Sequence, residues 1–390
     1  MFTDILFYKR LIVTGGAEVL LNEHYKYLKQ IGQKPLVVTF EMADLDRVNI
    51  DQKDLSLIQE RNLLTACFQL RQIIKKNKAA RIICHSGYIE LGLASLSLKR
   101  KYSVFVHQPS SMSFNESDKF SIFYWPTYKR LFSHSHMFSE LAKRRAAMSV
   151  TSKLYLNFRT VFSQYILKRA GSIFVLSNYA KQEKKALFSL ESTVHVGALE
   201  AKKLNQNLSL GRLNKRNQTQ KIVTLSRLDE NKRIDILIQA VKVLRDEGVD
   251  ICLDICGSGP SKESLGQLIT SLKLERYIKL MGYVHEDQIS RIYLNADLFV
   301  TVDWADFRLT TYEALSYRCK VLVSNDTEVD SKLEASGYLF SVKPSVEAVV
   351  LKIKQALNTD PSWTEQDLWR YLTQFTWQKY FSNITKEISN

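Results

Sequence analysis

The sequence holds five cysteines, Cys67, Cys84, Cys252, Cys256 and Cys319, but no CxxC pair and no cysteine–histidine cluster at metal-ligand spacing. That excludes a metal site built on thiolates and reads as reduced, mostly buried thiols of a cytoplasmic protein. No run approaches the roughly 20 apolar residues that a membrane-spanning helix needs. The apolar start, residues 1–14, is too short and too interrupted by charge for a signal peptide or a span. The chain is therefore expected not to cross a membrane. Acidic residues are nearly missing from one long segment: between Lys119 and Arg169 only Glu140 stands against ten Lys and Arg.

What is present points to a globular protein. With 390 residues, 45% hydrophobic and 24% charged, the chain fits two domains of ordinary size. Its net charge of +15 suggests an anionic partner: nucleic acid, anionic lipid or a phosphorylated small molecule. Nine of those fifteen excess charges fall in the 119–169 segment, which also carries eleven aromatics, among them Phe120, Phe123, Tyr124, Trp125, Tyr128 and Phe132. Helices are expected between about 118 and 168. One reading is a solvated helical face with an aromatic core side. A second is an interfacial surface, with Lys129, Arg130, Lys143, Arg144 and Arg145 meeting anionic headgroups. Single-stranded nucleic acid is a third, but no RNA or DNA motif accompanies the segment, and no nucleic-acid partner is expected.

Along the first half, short apolar runs alternate with helical spacing. Ile5–Val13, Leu36–Phe40, Arg81–His85, Tyr102–Val106 and Ser172–Leu176 read as strands, and Leu55–Ile74 as a helical region. The first strand runs into Thr14-Gly15-Gly16-Ala17-Glu18 and then into a helix. Such a turn is either a tight connection or an anion site made by free N–H groups and the helix dipole. His85 and His107 each follow the carboxyl end of a strand, where ligands collect in open α/β sheets.

A polar, basic stretch from Ala201 to Gln220 reads as a linker, dividing an N-terminal domain over 1–200 from a C-terminal one over 221–360. The pattern then restarts, with strands at Ile222–Leu225, Ile251–Cys256, Tyr277–Met281, Leu298–Val302 and Val321–Val323. Both halves are expected to be Rossmann-like, doubly wound α/β domains. The tail over 361–390 is aromatic and helical in spacing, suited to pack on the nearer domain or to cross back to the first. Arg227 and Lys232 follow a strand directly and are able to converge on a diphosphate, although two cations at a strand end are unremarkable alone. Thr310-Thr311-Tyr312-Glu313 allows Glu313 to be either a ligand hook or half of a capping box with Thr310.

In register, Gly15-Gly16-Ala17-Glu18, His107, Arg227 with Lys232, Gly257-Ser258-Gly259-Pro260, Gly282-Tyr283-Val284 and Asp306-Phe307 through Glu313 resemble glycosyltransferase family 4. The resemblance implies the GT-B fold, two Rossmann-like domains facing across a cleft. It also implies a retaining, metal-independent hexosyltransferase with a nucleotide diphosphate sugar as co-substrate and no cofactor. The acceptor would be lipid-linked or an oligosaccharide, in surface polysaccharide or lipopolysaccharide biosynthesis at the inner face of the cell membrane.

By the same resemblance, Gly15 and Gly16 approach the donor, and Arg227 and Lys232 neutralise the leaving diphosphate. Tyr283 and Val284 lie beside the base, Glu313 takes the ribose hydroxyls, and His107 faces the acceptor or sugar. Asp306, Phe307, Arg308 and Leu309 complete the donor side. Three positions depart from the pattern: Ala305 stands in place of its first glutamate, and Asp306 and Arg308 in place of glycines. A second reading follows from Ala305: a relative that keeps the fold as a partner or binding subunit without catalysis.

Overall fold

Short runs rich in Val, Ile and Leu, such as Pro35–Thr39 (PLVVT) and Lys320–Ser324 (KVLVS), are nearly continuous in apolar character. Strands of that kind must be covered on both faces, which is the condition of a parallel sheet with helices on either side. The computed structural model bears this out, with two such sheets in two units. It describes every residue except 1, 13–14, 44–48, 60–61, 79, 97, 99, 108–121, 123–124, 133–137, 210–218, 304–305, 327 and 390. Thr14, Trp304 and Ala305 thus lie outside the described residues.

The first unit comprises Met1–His134, Phe138–Gly197 and Trp377–Asn390. Its main sheet, among the described residues, has seven parallel strands in the order Leu55–Leu57, Pro35–Thr39, Asp4–Tyr8, Arg81–Ser86, Ser103–Val106, Ser172–Val175 and Thr193–Val194, and Arg10–Leu11 pairs separately with Glu41–Met42. The order reverses between Asp4–Tyr8 and Arg81–Ser86, so their carboxyl ends open at a topological switch point. Ile5, Phe7, Val38, Ile82 and Val104 from the strands meet Leu70, Leu91 and Ile166 from the helices in one core. Gly92 lets the helix Tyr88–Ser95 touch Val150–Lys168, because a Cβ there would lie 2.3 Å from Ile166 Cγ2.

The last helix, Trp377–Ser389, belongs to this unit. Trp377, Tyr380, Phe381 and Ile384 fall at helical spacing on one face, and that face is buried. Phe381 stacks on His24 at 4.4 Å, and Glu387 accepts from the Thr193 hydroxyl at 2.6 Å.

The second unit spans Ala198–Thr376. Its parallel strands are ordered Ile278–Gly282, Ile251–Cys256, Gln220–Leu225, Leu298–Thr301, Lys320–Ser324 and Leu339–Val342. The switch point lies between Gln220–Leu225 and Leu298–Thr301. The helices Ile234–Asp246 and Val346–Asn358 pack on each other and on the sheet through Leu237, Val241, Val349 and Ile353.

Two expectations from the sequence are corrected. Leu55–Leu57 is an edge strand paired with Val37–Thr39, and the helix begins only at Leu63, where Asn62 Oδ1 caps the Leu64 N–H at 2.8 Å. Ala201–Ser209 is a helix and not linker. Its buried Leu204 and Asn207 lie three apart, and Asn207 Nδ2 donates to Ser316 Oγ at 2.9 Å, so a polar composition conceals one packed face.

Candidate functional site

In the second unit three loops at the carboxyl ends of neighbouring strands are stitched by their backbones. Leu228 N–H donates to Ser258 O at 2.9 Å, Ser261 N–H to Leu228 O at 2.9 Å, and Gly257 N–H to Gly282 O at 2.7 Å. The approach is close enough that only glycine fits at 257: its φ is 132°, and a Cβ would sit 1.8 Å from Ser226 O. This fixes the backbone on which Arg227, Tyr283 and Val284 are mounted. Arg227 is exposed and pairs with Asp229 at 3.1 Å. Tyr283 is exposed beside His285, while Val284 is buried.

Lys232 ends a short 3-10 turn, and its ammonium donates to Asp303 Oδ2 at 2.8 Å. Arg233 follows in the left-handed region, φ 49°, and points inward to Val302 O at 3.1 Å and Asp326. These contacts tie the loop after Gln220–Leu225 to the one after Leu298–Thr301. Arg308 is buried and turned onto Asp303 as well, through Nε to Oδ1 and through an N–H to the Asp303 carbonyl at 2.9 Å. Arg308, which the resemblance puts on the donor side, thus serves a carboxylate of its own chain.

One buried carboxylate thus receives two cations. Burial would raise the Asp303 pKa, but the adjacent charges of Arg308 and Lys232 outweigh it and hold the carboxyl well below the usual carboxylate range. Asp303 with Lys232 and Arg308 carries a net positive charge in a nearly water-free corner at the sheet's switch point.

The helix Leu309–Ser316 starts beside this cluster. Arg308 occupies its N-cap in extended conformation and no side chain caps it. Thr310 lies inside the first turn, so the capping box with Glu313 is not formed, and Glu313 sits two residues beyond the position of a cap partner. Its carbonyl accepts from Ser316 Oγ at 2.7 Å. Asp306 is buried, and Phe307 stacks on Tyr312 at 5.1 Å, with Leu309 opening the helix.

In the first unit Gly15 caps and Gly16 begins the helix Gly16–Gln30. Glu18, in its first turn, accepts from the Tyr8 hydroxyl at 2.6 Å, and Lys9 donates to Glu90 at 2.6 Å across the switch point. His107 is half-buried, and its Nε2 lies 2.7 Å from the His85 carbonyl oxygen. A carbonyl only accepts, so Nε2 carries the proton and Nδ1 is left as the acceptor. Burial lowers the His107 pKa to about 4. Behind it, His24 Nδ1 and His85 Nε2 are 2.9 Å apart and share one proton. Burial, then the Arg81 charge, lowers His24 to about 3, and burial also holds His85 well below its ordinary value.

Lys129, Arg130 and Lys143 are exposed on the helices Trp125–Phe132 and Phe138–Ala147. Arg144 and Arg145 are half-buried, and the Arg145 guanidinium lies 5.0 Å from the Trp125 ring centre.

Within the second unit Lys232 and Arg308 are thus brought together on Asp303, whereas Arg227, on the same connection as Lys232, pairs with Asp229. Asp303, Arg233 and Asp326 were not singled out in the sequence. The available signal was Asp303 at the end of an apolar strand, five residues before an arginine.

Comparison with known proteins adds to this geometry. Residues 206–368 match the family described as glycosyl transferases group 1. The chain is 30% identical over 141 residues to the GtfA subunit of a UDP-N-acetylglucosamine–peptide N-acetylglucosaminyltransferase of Streptococcus pneumoniae, covering 35% of this chain and 27% of that protein. It is 26% identical over 136 residues to the alpha-monoglucosyldiacylglycerol synthase of Acholeplasma laidlawii, covering 34% of each. The matched stretch therefore spans about a third or less of these relatives. Among solved structures, a glycosyltransferase from Rickettsia africae superposes with a TM-score of 0.70 at 18% identity, covering 100% of this chain and 99% of that one. HepE of Anabaena, solved in complex with UDP, gives a TM-score of 0.69 at 15% identity over 99% of this chain and 100% of that one.

Proposed function

From a chain of GT-B fold whose residues 206–368 belong to glycosyl transferases group 1, we propose a retaining hexosyltransferase that uses a nucleotide diphosphate sugar. The acceptor is a lipid-linked sugar or an oligosaccharide, in surface polysaccharide or lipopolysaccharide assembly at the inner face of the cell membrane. The observation that carries this reading is that Lys232 meets Asp303 and Arg308 beside the uncapped start of Leu309–Ser316, with Arg227 on the same strand-end loop as Lys232. Fixed cations and helix N–H groups at that place suit a diphosphate. Glycosyl transferases group 1 and a fold neighbour solved with UDP agree with such a donor.

In the proposed reaction the bond between the anomeric carbon and the diphosphate oxygen breaks, and the acceptor oxygen bonds to the same face of that carbon. The acceptor proton passes to the departing diphosphate. Arg227 and Lys232 stabilise the charge that develops there, so that no metal is required. Glu313 takes the ribose hydroxyls, and Tyr283 and Val284 border the base. His107 offers its unprotonated Nδ1 to a sugar hydroxyl. Asp303 positions Lys232, and Arg308 sets the charge of Asp303.

A partner or binding subunit that keeps the fold without turnover is the second reading, and it follows from Ala305 in place of the pattern's first glutamate. The test is a panel of UDP-, GDP- and ADP-hexoses with lipid-linked and oligosaccharide acceptors, followed by release of nucleoside diphosphate. Turnover with one donor supports the enzyme. Binding without release supports the subunit, and absence of binding to every donor rejects both.

A further inference from the structure

The helix Val150–Lys168 is apolar on two opposite sides. One side packs into the first unit through Leu156, Ile166 and Leu167. The other carries Val150, Leu154, Phe158, Val161 and Tyr165, which are between 52% and 73% exposed. Their spacing runs along consecutive turns of one stripe. A surface helix of a globular protein ordinarily has one apolar side, and scattered exposed apolar residues need no explanation. A continuous second stripe does.

The charges around the stripe decide what covers it. The helix contributes Lys153, Arg159 and Lys168 and no acid. Arg169, the next residue, is exposed with its guanidinium 5.9 Å from the Tyr165 ring centre, while the basic helix Phe138–Ala147 meets the opposite side of this helix through Leu141 on Leu156. A second copy docked stripe to stripe would bring Lys153, Lys168 and Arg169 toward their own kind, with no acid on the helix to match them. An apolar groove on a partner protein would use the stripe and leave the cation excess unmatched. A bilayer with anionic headgroups offers both halves of the complement, negative phosphates above an apolar interior, and Tyr and Phe suit that boundary. Among the described residues no helix is long and apolar enough to cross a membrane, so a helix of this kind lies in the surface.

We propose that Val150–Lys168 is a membrane-docking helix whose Val150-to-Tyr165 stripe enters the acyl boundary of an anionic bilayer while Lys153, Lys168 and Arg169 rest on lipid phosphates. The inference deepens the membrane-face part of the proposed function. It rests on no donor chemistry, and vesicle binding is read without nucleotide sugar, so either can fail alone.

The experiment is flotation of the full chain with phosphatidylcholine vesicles, with and without about 30% phosphatidylglycerol. The protein floats with the anionic vesicles only, and raising salt from about 0.05 to 0.5 M weakens binding about tenfold or more. The double variant Leu154→Glu/Phe158→Glu loses binding by about tenfold or more with an unchanged melting temperature, since both side chains are exposed. Phe158→Trp retains it. Failure to float with any vesicle overturns the proposal, as does equal binding by the double variant. A dimer in sedimentation that the double variant makes monomeric also overturns it, because a second copy then covers the stripe.

Discussion

Asp303 is 2% exposed yet accepts from both Lys232 and Arg308, so its charge is a condition for the local structure. Asp303→Asn leaves two cations around a neutral amide, and breaking a buried pair of this kind costs about 3–5 kcal/mol. The loss is read as a lower urea midpoint. Its pH dependence has a definite sign. The folded pKa lies below the unfolded one, so the stabilisation is present above about pH 4 and disappears as the pH falls below it. The gap between wild type and Asp303→Asn therefore closes on acidification. His24 and His107 act higher on the scale. Their folded pKa values, about 3 and about 4, lie below the ordinary 6.5, so the unfolded chain binds protons first as the pH drops. Stability is full above pH 6.5 and falls from there toward pH 4, with a shallower fall in His24→Gln. Urea midpoints from about pH 2 to pH 8 check both statements. A flat profile contradicts the account of the histidines.

Among the elements, those with the plainest pattern were the most legible. The apolar runs at Ile251–Cys256 and Arg81–Ser86 locate buried strands because a parallel sheet demands apolar character on both faces. Leu55–Leu57 escaped because three residues carry no period, and their pairing with Val37–Thr39 decides their state. Ala201–Ser209 escaped because one buried leucine and one buried asparagine are outnumbered by polar neighbours. At the candidate site, the sequence singles out Lys232 by its place after a strand, but not that Arg308 folds inward onto Asp303, which depends on a tertiary partner. Close backbone contacts are likewise invisible in sequence. Gly257→Ala drives a methyl group into the Ser226 carbonyl and is expected to lower the melting temperature sharply and to disrupt the site. In the other unit, Phe381→Ala removes a fully buried ring stacked on His24, at a cost of about 3–5 kcal/mol in the urea midpoint.

At the scale of the whole molecule, the two sheets divide the chemistry. The second carries the cations and the helix start suited to a donor, and the first carries the histidines, the switch-point ion pair and the basic helices. The net charge of +15 is consistent with this division, since nucleoside diphosphates and anionic lipid are both negative. The central claim is that Arg227, Lys232 and Glu313 form one donor site. Its most direct test is titration calorimetry of the preferred nucleotide diphosphate sugar against the wild type, Arg227→Ala, Lys232→Ala and Glu313→Gln, with melting temperatures measured in parallel. The account predicts that each variant weakens binding about tenfold or more, the loss of one charge-assisted contact. It also predicts that Arg227→Ala, at an exposed side chain, does so without a change in melting temperature. Donor binding by all three variants with wild-type affinity would contradict it.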